Sequence, residues 1–486
     1  MKKCFSISLL VLVANFLYAQ YPAFKGCPVT VDFSQKLRPW DGFGFNYVET
    51  AQTLDYASNP TDYGGFSLLS EQDRKEIIDL VFGADGLKPA LIKMFLDPFH
   101  QKEQGGAYDH ESSTKYMRMF VSMGLEKTRQ RGGDLTIITT LYGPPAYMTL
   151  QKTLRGRDLD PQHKSDLANY LIDWARFLRQ EKLPVKYISL HNEGEDWERW
   201  PWDGKEGNLG KGHDYNMYWP VDQITDFLVF TRPMLDKAGL KDVWMTNGEP
   251  TNWYRFSFWG HATGISENKK ALNNLGLITS HGFYVGGYDN RWYGSHTPYG
   301  SSLLRSKRPG LHSWCTSTSW SKMDAKFIKE IWGNIYEAQV NGLIPWAGLQ
   351  RPPLWIGGDP NPGCAINVRE DGTWEIRKGY YFYKQVSAAG QPGMSVAQTI
   401  SMDSELPVIA FSSNGTKNHD AFIVVNTAAN EKKAAIIIKG IGSKAFRVFR
   451  TDGKEENYKD NGIVKTADGT ILYDAPGNSV TTFFAE

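Results

Sequence analysis

Hydrophobic and polar positions alternate between two spacings along most of the chain. Short runs rich in branched and aromatic residues, at 91–97, 135–142, 186–190, 243–247, 277–284, 311–316 and 343–347, predict strands. Runs of this kind, apolar on both faces, suit a parallel sheet buried on both sides. An eighth, earlier strand holds Trp40-Asp41-Gly42-Phe43-Gly44-Phe45-Asn46-Tyr47, where glycines inside a strand mark close approach of a backbone or a ligand. Between them the apolar spacing switches to that of helices, at 70–82, 112–131, 161–180, 221–238 and 325–340. Ser70 caps the first of these helices, with Glu71 and Asp73 in its first turn, where acidic groups suit the helix dipole. In the third, Leu167, Tyr170, Leu171, Trp174, Phe177 and Leu178 share one face, as in a helix packed on a sheet. Counted from Phe43, eight strands with intervening helices predict an α/β fold, a (β/α)8 TIM barrel over residues 40–389. A doubly wound open sheet is the competing architecture, but no G-x-G-x-x-G follows any early strand.

The pattern changes near Gly390. Short strands at 408–412, 421–425, 434–438, 445–450, 471–473 and 480–484 are separated by Asn414-Gly415, Asp452-Gly453 and Asp468-Gly469. Such turn pairs between alternating strands predict a C-terminal antiparallel β-sandwich, residues 390–486. In the segment 21–39, the weak alternation of residues 29–33 predicts a strand that joins this sandwich.

The fourth barrel strand runs into His191-Asn192-Glu193-Gly194-Glu195-Asp196. An ionised Glu is costly to bury without a partner, and the C-terminal ends of barrel strands are where such folds keep catalytic groups. A salt-bridged loop Glu is the structural alternative.

Composition narrows the chemistry. A formal net charge of +1 over 486 residues leaves no electrostatic footprint for nucleic acid or an anionic membrane. Aromatic residues are abundant, and several sit among polar ones, as in Trp197-Glu198-Arg199-Trp200-Pro201-Trp202. Rings with polar neighbours suit sugars, which present apolar faces and hydroxyl edges. Lys2, Lys3, an apolar run at 7–18 and Ala19 predict a signal peptide over residues 1–20, hence secretion or a periplasmic location. That run is too short for a membrane span. Cys27, Cys315 and Cys364 would remain after cleavage, too few for a disulfide framework, and no ligand spacing points to a metal or other cofactor.

Taken together, these motifs resemble glycoside hydrolase family 30 of the clan A glycosidases over nearly the whole mature chain. The resemblance is carried by Gly42-Phe43-Gly44, Tyr142-Gly143-Pro144-Pro145-Ala146-Tyr147-Met148, Leu190-His191-Asn192-Glu193, Gly248-Glu249-Pro250, Ser280-His281-Gly282-Phe283-Tyr284 and Ser479-Val480-Thr481-Thr482-Phe483. It implies a carbohydrate substrate, Glu193 as general acid/base and Asn192 on the sugar's 2-hydroxyl. It also exposes a departure. Where the family carries a nucleophilic Glu in a Trp-x-Thr-Glu sequence, this chain has Trp314-Cys315-Thr316-Ser317, and no carboxylate lies between Arg308 and Asp324.

Glycoside cleavage generally uses two carboxyl groups, about 5–5.5 Å apart when configuration is retained and about 6.5–9.5 Å when it is inverted. Asp97, Glu193 and Glu249 end strands, with Glu49 and Glu195 just beyond. Glu249 is expected to activate water opposite Glu193, or else to orient neighbouring Arg or Asn groups; Asp97 is a further candidate at the sugar. Glu195 and Asp196 are expected to press on Glu193 as like charges. Ser317 or Cys315 would serve as nucleophile only with a base such as His281 or His312 beside it. His281 is otherwise expected to hydrogen-bond the sugar or Glu193. Tyr142, Tyr284, Trp320 and Trp346 are candidates for stacking on sugar rings or for plugging the barrel top, and Arg351, Trp355 and Asp359 for rim contacts. A carbohydrate-binding barrel without activity is the alternative to a hydrolase.

Overall fold

The computed structural model describes residues 26–50, 62–199, 215–284, 293–320, 322–351 and 363–486. The expected signal peptide, Trp200, Trp202, Trp355 and Asp359 lie outside them.

Eight strands close into a parallel barrel: β2 (Gly42–Asn46), β3 (Leu91–Leu96), β4 (Thr136–Leu141), β5 (Val185–Ser189), β6 (Trp244–Thr246), β7 (Leu275–Ser280), β8 (Ser313–Thr318) and β9 (Gly342–Pro345). Every pairing between them is parallel, including β2 with β9. Helices α1 (Glu71–Phe82), α2 (Lys115–Gln130), α3 (Lys164–Gln180) and α4 (Val221–Lys237) follow β2 to β5 in turn. Ser70 caps α1 by accepting from the Asp73 backbone N–H at 3.1 Å. Three short helices, α5 (Trp253–Phe258), α6 (His261–Glu267) and α7 (Lys269–Asn274), replace one long one between β6 and β7. The circuit ends with α8 (Tyr299–Lys307), α9 (Ala325–Tyr336), the small strands β10 (Leu349–Gln350), β11 (Ile366–Val368) and β12 (Trp374–Ile376), and α10 (Lys378–Ala389).

The barrel interior is layered. Leu91, Ile138, Leu277, Trp314 and Ile344 fill its lower part. Two residues along β3 from Leu91, and so on the same face, comes Lys93, which is fully buried. Thr140 and Thr316 stand in the same relation to Ile138 and Trp314. An apolar floor therefore carries a polar storey directly beneath the C-terminal mouth.

The second unit is one hydrogen-bonded sheet of nine strands, folded over its own apolar core as a β-sandwich. Its strands are β13 (Ser395–Ser401), β14 (Val408–Ser412), β15 (Ala421–Asn426), β16 (Lys432–Lys439), β17 (Ala445–Asp452), β18 (Lys459–Lys465), β19 (Thr470–Ala475), β20 (Ser479–Ala485) and the N-terminal β1 (Cys27–Pro39). β1 pairs antiparallel with β13 and parallel with β16, so the two ends of the chain meet in one sheet. Phe422 and Phe483 stack at 4.5 Å in the core, with Val29 and Val31 beside them.

Barrel and sandwich are joined by buried polar contacts. α10 lies against β15, β17 and β20, with Gln385 donating to Thr451 Oγ1 at 3.0 Å. On α9, the Tyr336 hydroxyl donates to the Ala397 carbonyl at 2.8 Å and accepts from the Ala410 N–H at 2.9 Å. Tyr336→Phe leaves that backbone N–H without its acceptor, which costs about 1–3 kcal/mol. The expected result is a lower denaturation midpoint in urea with unchanged far-UV circular dichroism at neutral pH; an unchanged midpoint would mean that the hydroxyl contributes nothing to holding the two units together.

Candidate functional site

Glu193 and Glu249 are brought together by the backbone. Asn192 and Glu249 pair as an isolated parallel bridge beyond β5 and β6, with Glu193 N donating to Glu249 O at 2.8 Å and Glu249 N to His191 O at 2.9 Å. The turn is tight. Glu193 holds a left-handed backbone with φ 52°, a conformation that costs a non-glycine residue of order 1–3 kcal/mol. Gly248, φ +82°, admits no side chain, because a Cβ there would fall 2.0 Å from the His191 ring. Asn192 is buried, and its carbonyl accepts from Asn216 Nδ2 at 2.9 Å.

The two carboxylates are linked by His281. Its Nδ1 lies 2.8 Å from Glu193 Oε1 and its Nε2 3.0 Å from Glu249 Oε2. Lys93 Nζ pairs with Glu249 Oε2 from inside the barrel, and Thr140 donates to Glu249 Oε1 at 2.7 Å. On the other side Arg199 Nη2 lies 2.5 Å from Glu193 Oε2. The result is a row of alternating charge, Lys93–Glu249–His281–Glu193–Arg199. With both carboxyl groups ionised, each accepts from a ring nitrogen and His281 is an imidazolium. Burial and the Lys93 ammonium press the His281 pKa down, but the bonds to Glu193 and Glu249 outweigh them and raise it above its ordinary 6.5. Glu249 is fully buried; desolvation pushes its pKa up, and Lys93 and His281 overcome this to hold it at about 2.

A second ionic cluster stands behind this row. Arg255 Nη1, itself buried, lies 2.8 Å from Glu195 Oε1 and 3.1 Å from Asp196 Oδ2. Burial raises the Glu195 pKa, but Arg255 and Arg199 prevail and bring it to about 2. The expected like-charge pressure of Glu195 and Asp196 on Glu193 is thus offset by a guanidinium that the sequence reading did not pair with them.

The remaining candidates separate. Ser317 lies where the β8–β9 register shifts, with its hydroxyl buried and without a hydrogen-bond partner among the described residues. Both amide atoms of Asn46 and the Thr318 hydroxyl are unpartnered in the same sense. Buried polar groups are seldom left so, and these three end β2 and β8 at the mouth. Cys315 is no nucleophile: burial pushes its thiol up to about 12, and Sγ donates to the His281 carbonyl at 3.0 Å. His312, the other candidate base, faces Asp41 at 2.8 Å at the opposite end of β8. Asp97 accepts from the Phe99 N–H at 2.8 Å and faces His100 at 3.4 Å, which ties down its own loop.

Of the aromatic candidates, Trp320 and Tyr142 take the packing alternative. Trp320 is fully buried between Phe327 and Tyr383, at 5.0 and 5.2 Å, and offers no ring face to a sugar. Tyr142 is likewise core, packed against Phe95 and Tyr215. Trp346 lies against Phe95 and Tyr63, and Arg351 is buried with Glu370 4.0 Å away. Tyr284 is half exposed and stacks on His296 at 5.2 Å. Sequence reasoning missed Lys93, Thr140, Arg199 and Asn46. Lys93 had a signal: a lysine inside Leu-Ile-Lys-Met-Phe-Leu is tolerated in a buried strand only with a counter-charge.

Solved structures share this architecture. The catalytic domain of a family GH30 xylanase C from Talaromyces cellulolyticus superposes with a TM-score of 0.71 at 15% identity, covering 94% of this chain and all of that one. A GH30 subfamily 8 xylanase from Clostridium acetobutylicum gives 0.65 at 18% identity, with 94% and 99% covered. An endo-β1,6-glucanase gives 0.65 at 16%, with 94% and 93% covered. No protein-family model and no curated protein matches the sequence. The fold is GH30-like, a likeness of backbone at low identity.

Removing Lys93 should unbalance the row. Lys93→Met strips the buried Glu249 of its lysine counter-charge and leaves it to His281 and Thr140, a loss of at most about 3–5 kcal/mol at neutral pH. The wild-type carboxyl has a lowered pKa, so its contribution is present above about 4.5 and fades as pH falls toward 2. In the variant, protonation relieves the buried charge, so the deficit against wild type should shrink on acidification. Urea unfolding between pH 3 and 8 checks this; a deficit independent of pH would show that Lys93 acts by packing alone.

Proposed function

We propose that the protein is a glycoside hydrolase acting on a carbohydrate polymer or its oligosaccharides, with Glu193 as proton donor to the leaving oxygen. The observation that carries this reading is the hydrogen-bonded row from Lys93 to Arg199 at the mouth of a GH30-like barrel. General acid catalysis needs a proton on Glu193 when the bond breaks. His281, one hydrogen bond away, holds one. In this reading the proton passes from His281 Nδ1 to Glu193 and on to the departing sugar. Glu249 keeps His281 charged and oriented instead of activating water, since both its oxygens are engaged and a carboxyl held at about 2 is a weak base. The unpartnered groups of Asn46, Ser317 and Thr318 supply hydrogen bonds to sugar hydroxyls. The apolar run at 7–18 supports export to where polysaccharides are met.

Ser317 favours a second reading, a barrel that binds carbohydrate without cleaving it. Reducing-sugar release from a panel of xylans, β-glucans and pectic polymers separates the two. Release lost on Glu193→Gln is expected; binding of a polymer with no release from any would support the second. The Glu193→Gln loss should be about 10²–10⁴-fold on natural substrates, and much smaller on aryl glycosides with good leaving groups, with binding kept. Equal loss on both substrate types would remove Glu193 from the donor role.

The missing seventh-strand carboxylate also bears on stereochemistry. A serine hydroxyl is barely ionised near neutral pH, and neither nitrogen of His281 is free to serve Ser317. Direct attack by water, which forms the new C–O bond as the glycosidic C–O bond breaks and loses its proton to solvent water, gives inversion at the anomeric carbon. Proton NMR of the first-formed product should show the inverted anomer; a retained product would require a covalent intermediate on another group.

A further inference from the structure

Exposed aromatic rings gather beside the Glu193 row. Trp197, in the short turn Trp197–Arg199 after β5, is 51% exposed, and Trp259, which follows α5 after β6, is 41% exposed. Arg255 ties the two loops together. Its Nη1 lies 3.1 Å from Oδ2 of Asp196, the residue before Trp197, and its guanidinium carbon sits 4.3 Å over the Trp259 ring. Arg255 is fully buried, so a fixed cation holds one face of the Trp259 indole and solvent reaches the rest. Further rings continue from there. Phe258 is half exposed and stacks on the equally exposed Tyr299 of α8, with centroids 5.4 Å apart and planes 15° apart. Tyr254, one helical turn before Phe258, packs on it at 5.0 Å.

The polar groups among these rings decide what they suit. Asp196, Glu198 and Arg199 flank Trp197 in the chain. A lipid surface or an apolar protein face laid on Trp197 would strip water from these charges at a cost. A sugar meets both needs, because its C–H faces stack on rings while its hydroxyls bond charged and polar neighbours. The rings are also continuous with the mouth. Arg199, two residues after Trp197, ends the row on Glu193. Arg255, under Trp259, holds Glu195 and Asp196, which follow Glu193 almost at once. One cluster of charges therefore fixes both the Glu193 loop and the exposed tryptophans.

We propose that Trp197 and Trp259 form a stacking platform for pyranose units of a polysaccharide chain that runs on from the mouth, with Phe258 and Tyr299 extending it. The unpartnered groups of Asn46, Ser317 and Thr318 meet the sugar inside the mouth; the platform meets units farther along the chain. Long chains therefore bind more tightly than short ones, and the gain comes from the tryptophans. For its ligand class the proposal rests on the carbohydrate-facing mouth common to both readings above. It does not depend on whether that mouth cleaves.

Electrophoresis of the full chain through native gels cast with xylan, a β-glucan or homogalacturonan tests this, with reducing-sugar release measured on the same polymers. At least one polymer should retard the protein. Trp197→Ala with Trp259→Ala should weaken that binding about tenfold or more, as loss of aromatic anchors does. Trp259→Phe, which keeps a ring over Arg255 and so guards against a folding defect, should weaken it less. Met402→Ala, at a side chain 74% exposed on the sandwich, should leave binding unchanged. No retardation by any polymer overturns the proposal, as does retardation indifferent to the tryptophan pair. An equal loss on Met402→Ala also overturns it, because general apolar adhesion would then explain the binding. Sugar release with tryptophan-independent binding removes the platform and keeps the hydrolase. Tryptophan-dependent binding with no release from any polymer keeps the platform and removes the hydrolase.

Discussion

A lysine inside a closed barrel has to be neutralised where it stands, and the site follows from that requirement. Lys93 is fully buried one storey above an apolar floor, where an unpaired ammonium would cost several kcal/mol. Glu249 answers it, and is itself too buried to stand without further partners, so Thr140 and His281 complete its shell. His281, charged by that contact, draws Glu193, whose other oxygen is met by Arg199. Each charge is set by the one before it. The strained φ of Glu193 and the forbidden Cβ of Gly248 are what the backbone gives up to bring β5 and β6 into this arrangement.

The same row explains how a barrel without a seventh-strand Glu holds Glu193 and Glu249 in place beyond β5 and β6. Glu249 is anchored from below by Lys93 and Glu193 from the flank by Arg199. The vacancy at Ser317 is therefore local. It leaves unpartnered hydroxyl and amide groups at the mouth, which suit hydroxyl-rich ligands, and it leaves the charge balance of the other strands untouched.

Much of this was legible in the sequence, and the gaps have physical causes. Strand runs and the Ser70 cap located the barrel because burial on both faces leaves an unbroken apolar signature. α5, α6 and α7 escaped because helices of six or seven residues are too short to display a periodicity. β18 escaped because it is an exposed edge strand, Lys459–Lys465, with no buried face to pattern its sequence. Glu193, Glu249 and His281 were legible as strand-end residues, and a hydrogen bond from His281 to Glu193 was one of the expectations, but the tie from Lys93 through Glu249 to His281 was not, since Lys93 reads as one polar letter in an apolar strand. For Trp320 the sequence left sugar stacking and packing open, and its ring is enclosed by Phe327 and Tyr383.

In this arrangement His281 is an imidazolium held between two carboxylates. Nitrogen-15 NMR of the selectively labelled histidine side chains, assigned with His281→Gln, reads this directly. Both His281 nitrogens are expected to carry protons at neutral pH, with the ring titrating above the ordinary 6.5. A neutral tautomer at pH 7, with one ring nitrogen bare, would contradict it.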